Sequence, residues 1–301
     1  MAVRQDTIWQ KFLFPVLRML IYQETLSNYT RSIDWEKESD RFRRDDVIIP
    51  TYYSSKNFHG IKRGYLNYNA AASYDAITQY VLPPNETWIR QAVIDTVKVK
   101  NTRRILDLGC GTGSTTLLLK QAFPGAEVIG LDLSPYMLVR ASHKSESSAL
   151  DIVWRHGNAE NTAFPDSSFD LVTASLLFHE TPPMVSQDIL GEAFRLLVSG
   201  GQVLILDGNQ NNLRQIEWLN DVFEEPYIRD YGAGSVDAWM GAAGFAEVYT
   251  QDVWWLNQLT IGIKPIIVED AKLQTNQQQY ISTEPEPKID DNLQGFRFPA
   301  L

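Results

Sequence analysis

A buried strand that runs into a glycine-rich turn and then a helix restricts this chain more than any other feature. Ile105-Leu-Asp-Leu108 is apolar apart from Asp107, and Gly109-Cys-Gly-Thr-Gly113 follows at once. Glycines there allow left-handed torsions and let a ligand approach the backbone where a β-carbon would block it. A helix beginning near Ser114 would add free N–H groups at its first turn. Taken alone, the pattern is also satisfied by an ordinary strand–turn–helix corner.

From Arg103 onward, strands and helices alternate. Strand-like runs fall at 104–108, 127–131, 151–155, 169–174 and 202–206, with helical segments between most of them. Ser134 and Pro135 form an N-cap and first-turn pair. Ile189, Leu190, Ala193, Phe194 and Leu197 form an apolar stripe, with Gly200 as the expected helix stop. Residues 70–82 and 85–99 predict helices, the second capped by Asn85. A helix at 235–243 and strands at 247–253 and 259–264 close the pattern. The alternation implies a doubly wound α/β fold whose mostly parallel sheet is covered on both faces. Residues 1–69 read as an N-terminal helix and aromatic lid segment, and 70–271 as the α/β domain. Residues 272–301, rich in Gln, Glu, Pro and Asn, read as a disordered tail.

Composition narrows the partners. The formal net charge of -10 repels phosphate backbones and disfavours nucleic acid. The small basic clusters at 41–44 and 103–104 read as exposed charge at element ends. A single cysteine, Cys110, excludes an intrachain disulfide and points to a reducing, cytoplasmic setting. It suits a tight turn better than a nucleophile's role, since no base and no electropositive setting accompanies it. The four histidines have no metal-ligand spacing, so no metal is expected. No apolar run approaches the ~18 residues that span a bilayer, and no signal-peptide pattern opens the chain. Ile8, Trp9, Phe12, Leu13, Val16, Leu17, Leu20 and Ile21 do share one helical face, which Pro15 interrupts. That face fits packing on the main domain or on a partner subunit. It also allows peripheral membrane contact through residues 7–22.

The motif spacing bears on the ligand. Glycines at 109, 111 and 113 give Gly-x-Gly-x-Gly, whereas the dinucleotide fingerprint needs Gly-x-Gly-x-x-Gly, and Ser114 occupies its third glycine position. An acid on the strand itself, Asp107, suits a cationic amino group better than a pyrophosphate. Val128-Ile-Gly-Leu-Asp132 places a second carboxylate at the end of the next strand, as ribose-binding acids stand in doubly wound folds. Leu133 follows it and suits an adenine face.

Over roughly residues 65–265 these features resemble the class I S-adenosylmethionine-dependent methyltransferases. Within them the chain is similar to the small-molecule group that includes the ubiquinone and menaquinone C-methyltransferases. The resemblance implies an enzyme, S-adenosyl-L-methionine as cofactor, and a seven-stranded Rossmann-like sheet with its last strand antiparallel. It assigns Asp107, Gly109, Gly111 and Gly113 to the methionine part of the cofactor and Asp132 to its ribose. Asn158 and the backbone of Ala159, in Gly157-Asn-Ala-Glu160, would meet the adenine edge. Phe169 to Ser175 would be the fourth strand, with Ser175 facing the methyl group. Leu196-Leu-Val-Ser-Gly-Gly201 matches the family's helix-to-strand turn, with Ser199 in place of the usual proline.

Phe178-His179-Glu180 follows that strand, in the region that lies by the acceptor in the resembling family. His179 would orient or deprotonate the acceptor, or else cap a local turn. In related enzymes an N-terminal segment covers the pocket, so Tyr65, Tyr68 and Tyr74 would face the sulfonium or the acceptor. Packing between lid elements is the alternative for each tyrosine. The function implied is methyl transfer to a small-molecule, lipophilic or aromatic acceptor. A catalytically silent S-adenosylmethionine-binding module is the alternative, and a dehydrogenase is disfavoured by Ser114 and Asp107.

Overall fold

The computed structural model describes residues 23–58, 61–81, 85–99, 101–216 and 225–266. The apolar stripe at 7–22, His59 and the tail at 272–301 lie outside the described residues. Ahead of the main sheet come α1 (Gln23–Ser32), α2 (Trp35–Asp40), α3 (Thr51–Ser54), a short hairpin of β1 (Asn57–Phe58) and β2 (Ile61–Lys62), α4 (Tyr68–Val81) and α5 (Glu86–Asp95). Then β3 (Arg104–Leu108), α6 (Ser114–Ala122), β4 (Glu127–Asp132), α7 (Pro135–Ser147), β5 (Val153–His156) and β6 (Phe169–Ser175) alternate. A 3₁₀ turn (Phe178–Glu180) leads to α8 (Pro183–Leu196) and β7 (Leu197–Gly208). The last elements are α9 (Gln210–Gln215), α10 (Ile228–Ala233), α11 (Val236–Ala242), β8 (Ala246–Val253) and β9 (Asn257–Ile263).

The seven strands from β3 to β9 form one sheet in the order β5-β4-β3-β6-β7-β9-β8. Pairings from β5 through to β7 are parallel, and β9 is antiparallel to both of its neighbours. The doubly wound sheet with an antiparallel last strand is therefore as the sequence implies. The pleat explains the near-continuous apolar strands. Leu106, Leu108, Val172, Val203 and Ile205 enter one core, while Ile105, Leu171, Leu204 and Leu206 enter the other. Both faces are buried, so positions of either parity must be apolar. A third cluster joins the lid to the domain, with Trp35, Tyr65 and Ala70–Ala72 packed on Met137 and Val139. His156 adds a polar tie: its Nδ1 accepts from the Arg44 N–H at 3.0 Å, and its Nε2–H donates to the Leu133 carbonyl at 3.1 Å.

Two helix ends fall earlier than the sequence suggests. Helix α5 stops at Asp95 rather than near 99, because the buried Gln202 side chain captures the chain there. It accepts from the Lys98 N–H at 2.9 Å and donates to the Thr96 carbonyl at 3.2 Å. Helix α8 stops at Leu196, not at Gly200, because Leu197 already pairs with Phe169. Gly200, with φ 78°, bends the chain within β7 instead. Asn85 and Ser134 cap α5 and α7 as expected.

Leu106 has no exposure in the larger core, whereas Met184 on α8 is 76% exposed. Leu106→Ala should therefore lower the unfolding free energy by about 2–5 kcal/mol in urea titration. Met184→Ala should change it by no more than about 0.5 kcal/mol.

Candidate active site

A cleft opens where the strand order reverses, at the carboxyl ends of β3, β4 and β6. This is the switch point at which open α/β sheets take ligands. Mouth included, the cleft spans about 780 Å³. Gly109, Gly111 and Gly113 all have positive φ, at 62°, 54° and 79°. A β-carbon on Gly113 would meet the Trp154 ring at 2.4 Å, while one on Gly111 would find nothing within 4 Å. The turn is thus packed behind and open in front.

Asp132 stands beside this opening. Its Oδ2 accepts from the Gly111 N–H and its Oδ1 from the Ser134 N–H, both at 2.8 Å. Burial raises its pKa, the two N–H bonds oppose this, and the net result is a carboxyl pushed up to about 6. Further along, Leu133, Asn158 and Ala159 line the wall. The Asn158 amide donates to Glu160 Oε1 at 3.1 Å, and its carbonyl oxygen accepts from the Glu160 N–H at 3.0 Å. The Tyr52 hydroxyl donates to the same Glu160 oxygen at 2.8 Å, so the lid holds this loop from above. At the other end Tyr65 and Tyr74 line the cleft, ring edge to ring face at 5.5 Å, with Ser175 and Arg90 nearby.

The structure brings together nine of the residues singled out in the sequence: Gly109, Gly111, Asp132, Leu133, Asn158, Ala159, Ser175, Tyr65 and Tyr74. Four others stand back from the cleft. Asp107 shares its sheet face with Ile105, which turns its carboxylate beneath α6. It accepts there from Thr116 Oγ1 at 2.6 Å and Thr173 Oγ1 at 2.8 Å. Burial raises its pKa, with those bonds and the Arg90 charge opposing. Asp107 therefore braces the turn. Gly113 caps α6 behind the opening. Tyr68 lies on the outer side of α4, stacked on Trp35 at 6.1 Å. His179 points to Asp207 instead of the cleft wall.

Residues 105–201 match a family model described as a methyltransferase domain. That stretch holds β3 to β6 and the glycine turn, so the likeness falls on the strands that frame the cleft. A demethylmenaquinone methyltransferase of Thermus thermophilus is 40% identical over 120 residues, covering 40% of this chain and 53% of that protein. A ubiquinone/menaquinone biosynthesis C-methyltransferase of Dinoroseobacter shibae is 31% identical over 144 residues, 47% of this chain and 57% of that one. The chain thus spans about half the length of the curated relatives it matches. Among solved structures, an O-methyltransferase candidate from Nostoc punctiforme aligns with a TM-score of 0.52 at 16% identity, over 65% of this chain and 59% of that one. That likeness concerns the fold alone.

The cleft also has lining residues that sequence patterns do not mark. Tyr52, Tyr53, Arg90, Leu177 and Glu180 all line the cleft. Only the aromatic doublet at 52–53 hinted at a lid contact, and nothing in its spacing gave a direction. Leu177 supports Gly109, whose β-carbon would meet it at 2.8 Å. Leu176, at φ 59°, takes a left-handed torsion that is costly without glycine and that re-aims the chain at the cleft. Burial, with the Glu180 charge adding to it, holds the phenols of Tyr53, Tyr65 and Tyr74 above their ordinary pKa. These tyrosines stay protonated at neutral pH and serve as donors or ring faces, not bases.

The His179 ring is fixed by a 2.6 Å contact from Nδ1 to Asp207 Oδ1, and Asp207 Oδ2 accepts from the Phe178 N–H at 2.7 Å. Burial alone would lower the imidazole pKa. The Asp207 charge and hydrogen bond overcome this, Glu180 and Glu225 reinforce them, and the value rises to about 9. At neutral pH His179 is therefore held mainly as the imidazolium. Its folded pKa is raised, so the pair's stabilisation is complete below pH 6.5 and lost as pH climbs through about 9. NMR titration of the His179 ring should give a midpoint of about 9. Asp207→Asn should lower it clearly, because burial then meets only the weaker opposition of the Glu180 and Glu225 charges. An unmoved midpoint in that variant would contradict the pairing.

Proposed function

We propose that the chain binds S-adenosyl-L-methionine in this cleft and transfers its methyl group to a small, quinone-type aromatic acceptor. The observation that carries the reading is the Asp132 carboxylate at the open face of Gly111, at a switch point whose far wall is Asn158 and Ala159. When bound, S-adenosylmethionine supplies an electrophilic methyl group on a sulfonium. Asp132 would accept from the ribose hydroxyls, and Asn158, Ala159 and Leu133 would enclose the adenine. Tyr65 and Tyr74 would place ring faces by the sulfonium, a contact worth about 0.5–2 kcal/mol. Support for the acceptor comes from the aromatic wall of Tyr52, Tyr53, Tyr65 and Tyr74, with Leu176 and Ile189 beside it. The relatives named as demethylmenaquinone methyltransferases agree with it.

An acceptor that loses a proton needs a group to receive it. His179 is already protonated and the cleft tyrosines hold their protons. Among the described residues, the carboxylates lining the cleft are Asp132, engaged at the ribose position, and Glu180. Glu180 is thus the group placed to take the proton, with His179 and Asp207 fixing the 3₁₀ turn that carries it.

Incubation with methyl-labelled S-adenosylmethionine and a demethylated naphthoquinol should move label to the quinol. Absence of any S-adenosylmethionine binding by calorimetry would overturn the reading. Affinity should fall as pH drops through about 6, since the ionised Asp132 is the better acceptor for ribose hydroxyls. The loss approaches about tenfold per pH unit, and Asp132→Asn should flatten the profile. Glu180→Gln should lower turnover by on the order of 100-fold or more with cofactor affinity unchanged. Full turnover in that variant would remove Glu180 from the reaction.

A further inference from the structure

Three of the eight tryptophans stand together in the open. Trp88 is 51% exposed, Trp254 and Trp255 are each 45% exposed, and the Trp88 and Trp254 rings meet edge to face at 6.1 Å. Trp88 lies in the first turn of α5, where its backbone N–H donates to the capping Asn85 side chain at 2.8 Å. The other two open the turn 254–256 that joins β8 to β9. Val253 and Asn257, the buried residues on either side of that turn, pair with each other. Asn257 also pairs with Gly208, the last residue of β7. The tip therefore lies at the carboxyl end of the parallel strands, the end at which the cleft opens.

The turn is held so that its indoles face outward. Trp254 has φ 62°, a torsion that a bulky side chain takes only under restraint. The restraint comes from Asn209, whose N–H donates to the Leu256 carbonyl at 2.8 Å, and from Asn212, whose side chain donates to the Trp255 carbonyl. Little charge surrounds the rings. Residues 85–91 and 251–258 hold one exposed charged side chain, Asp252, which accepts from the Asn209 amide at 2.8 Å. A contiguous exposed aromatic patch marks a contact surface, and its chemistry narrows the partner. Indole settles at a membrane–water interface, with its ring at the acyl boundary and its N–H among the headgroups. The net charge of -10 opposes a second copy of this chain and an anionic bilayer alike, and the described residues of the patch hold no exposed cation to offset it. We propose that Trp88, Trp254 and Trp255 form an anchor that seats the chain on a zwitterionic lipid surface, with the cleft end of the sheet toward the bilayer.

Flotation of the full chain with phosphatidylcholine vesicles tests the anchor without cofactor or acceptor, so its outcome leaves the methyl-transfer reading untouched. The intact chain should float with the vesicles, and added salt should not release it. Trp254→Ser with Trp255→Ser should lower the partition coefficient by about tenfold or more, and Trp88→Ser by less, because each change removes apolar area from the lipid contact. Met184→Ser removes a more exposed apolar side chain from α8 and should leave partitioning unchanged. An intact chain that stays in the lipid-free fraction overturns the anchor. Equal flotation of the double tryptophan variant overturns it too, by moving lipid contact to another segment such as residues 7–22. Release by salt would overturn aromatic insertion in favour of headgroup charge. Dimers that form without vesicles and dissolve on the tryptophan substitutions would make a second copy the occupant and overturn the lipid assignment.

Discussion

The bond from the Gly111 N–H to the Asp132 carboxylate is the contact on which the site's architecture depends. It ties the turn after β3 to the end of β4, across two strands that are already paired residue for residue. The torsions it needs are left-handed, which is why the turn is written in glycine. It also strips water from a carboxylate, and burial then prevails over the two N–H bonds and raises its pKa. An acid held this way gains from further donors, so the same contact that shapes the turn leaves it suited to a diol.

A second charge cluster makes the lid part of this unit. Asp75 on α4 accepts from Thr112 Oγ1 at 2.5 Å, Arg140 Nε at 2.7 Å and Lys144 Nζ at 2.9 Å. Lys144 also donates to Ser114 Oγ at 3.0 Å. Burial would raise the Asp75 pKa, but the Lys144 charge, the Thr112 bond and the Arg140 charge bring it below the ordinary carboxylate value. The carboxylate therefore stays ionised and clasps the turn to α7. Tyr74, its neighbour on the same helix, is carried to the cleft by that clasp. Ser134 repeats the device by donating to the Tyr65 carbonyl at 2.6 Å.

The sheet was legible in the sequence because both of its faces are buried and its strands are short apolar runs between turn signals. The turn was legible because left-handed torsions demand glycine. Asp132 was legible because a carboxylate ending a buried strand has few structural uses. Asp107 stands back from the cleft for a physical reason: strand parity places it under α6, and parity at one residue is invisible without the register of its neighbours. Tyr68 stands back from the cleft as well, since helical spacing does not say which face of α4 meets it. Arg90 and Glu180 left no signal, because an arginine in an amphipathic helix and a glutamate in a short turn look like solvated charge. Only the fold shows that each is buried at a cleft wall.

Charge is distributed unevenly along the cleft, and that bears on the acceptor. One part of the wall holds backbone N–H groups and the Asp132 carboxylate, and the Arg90 guanidinium lines the cleft near Tyr74. Another part offers protonated tyrosines, Leu177, Ile189 and the Glu180 carboxylate. The His179 imidazolium is turned toward Asp207 and so is largely neutralised as a partner for an anion. A phosphorylated or carboxylated acceptor beside Glu180 would meet a like charge. A flat, neutral acceptor that gives up a proton would meet ring faces and a carboxylate able to take it. A wall of this polarity would therefore disfavour anionic acceptors and favour neutral, aromatic ones.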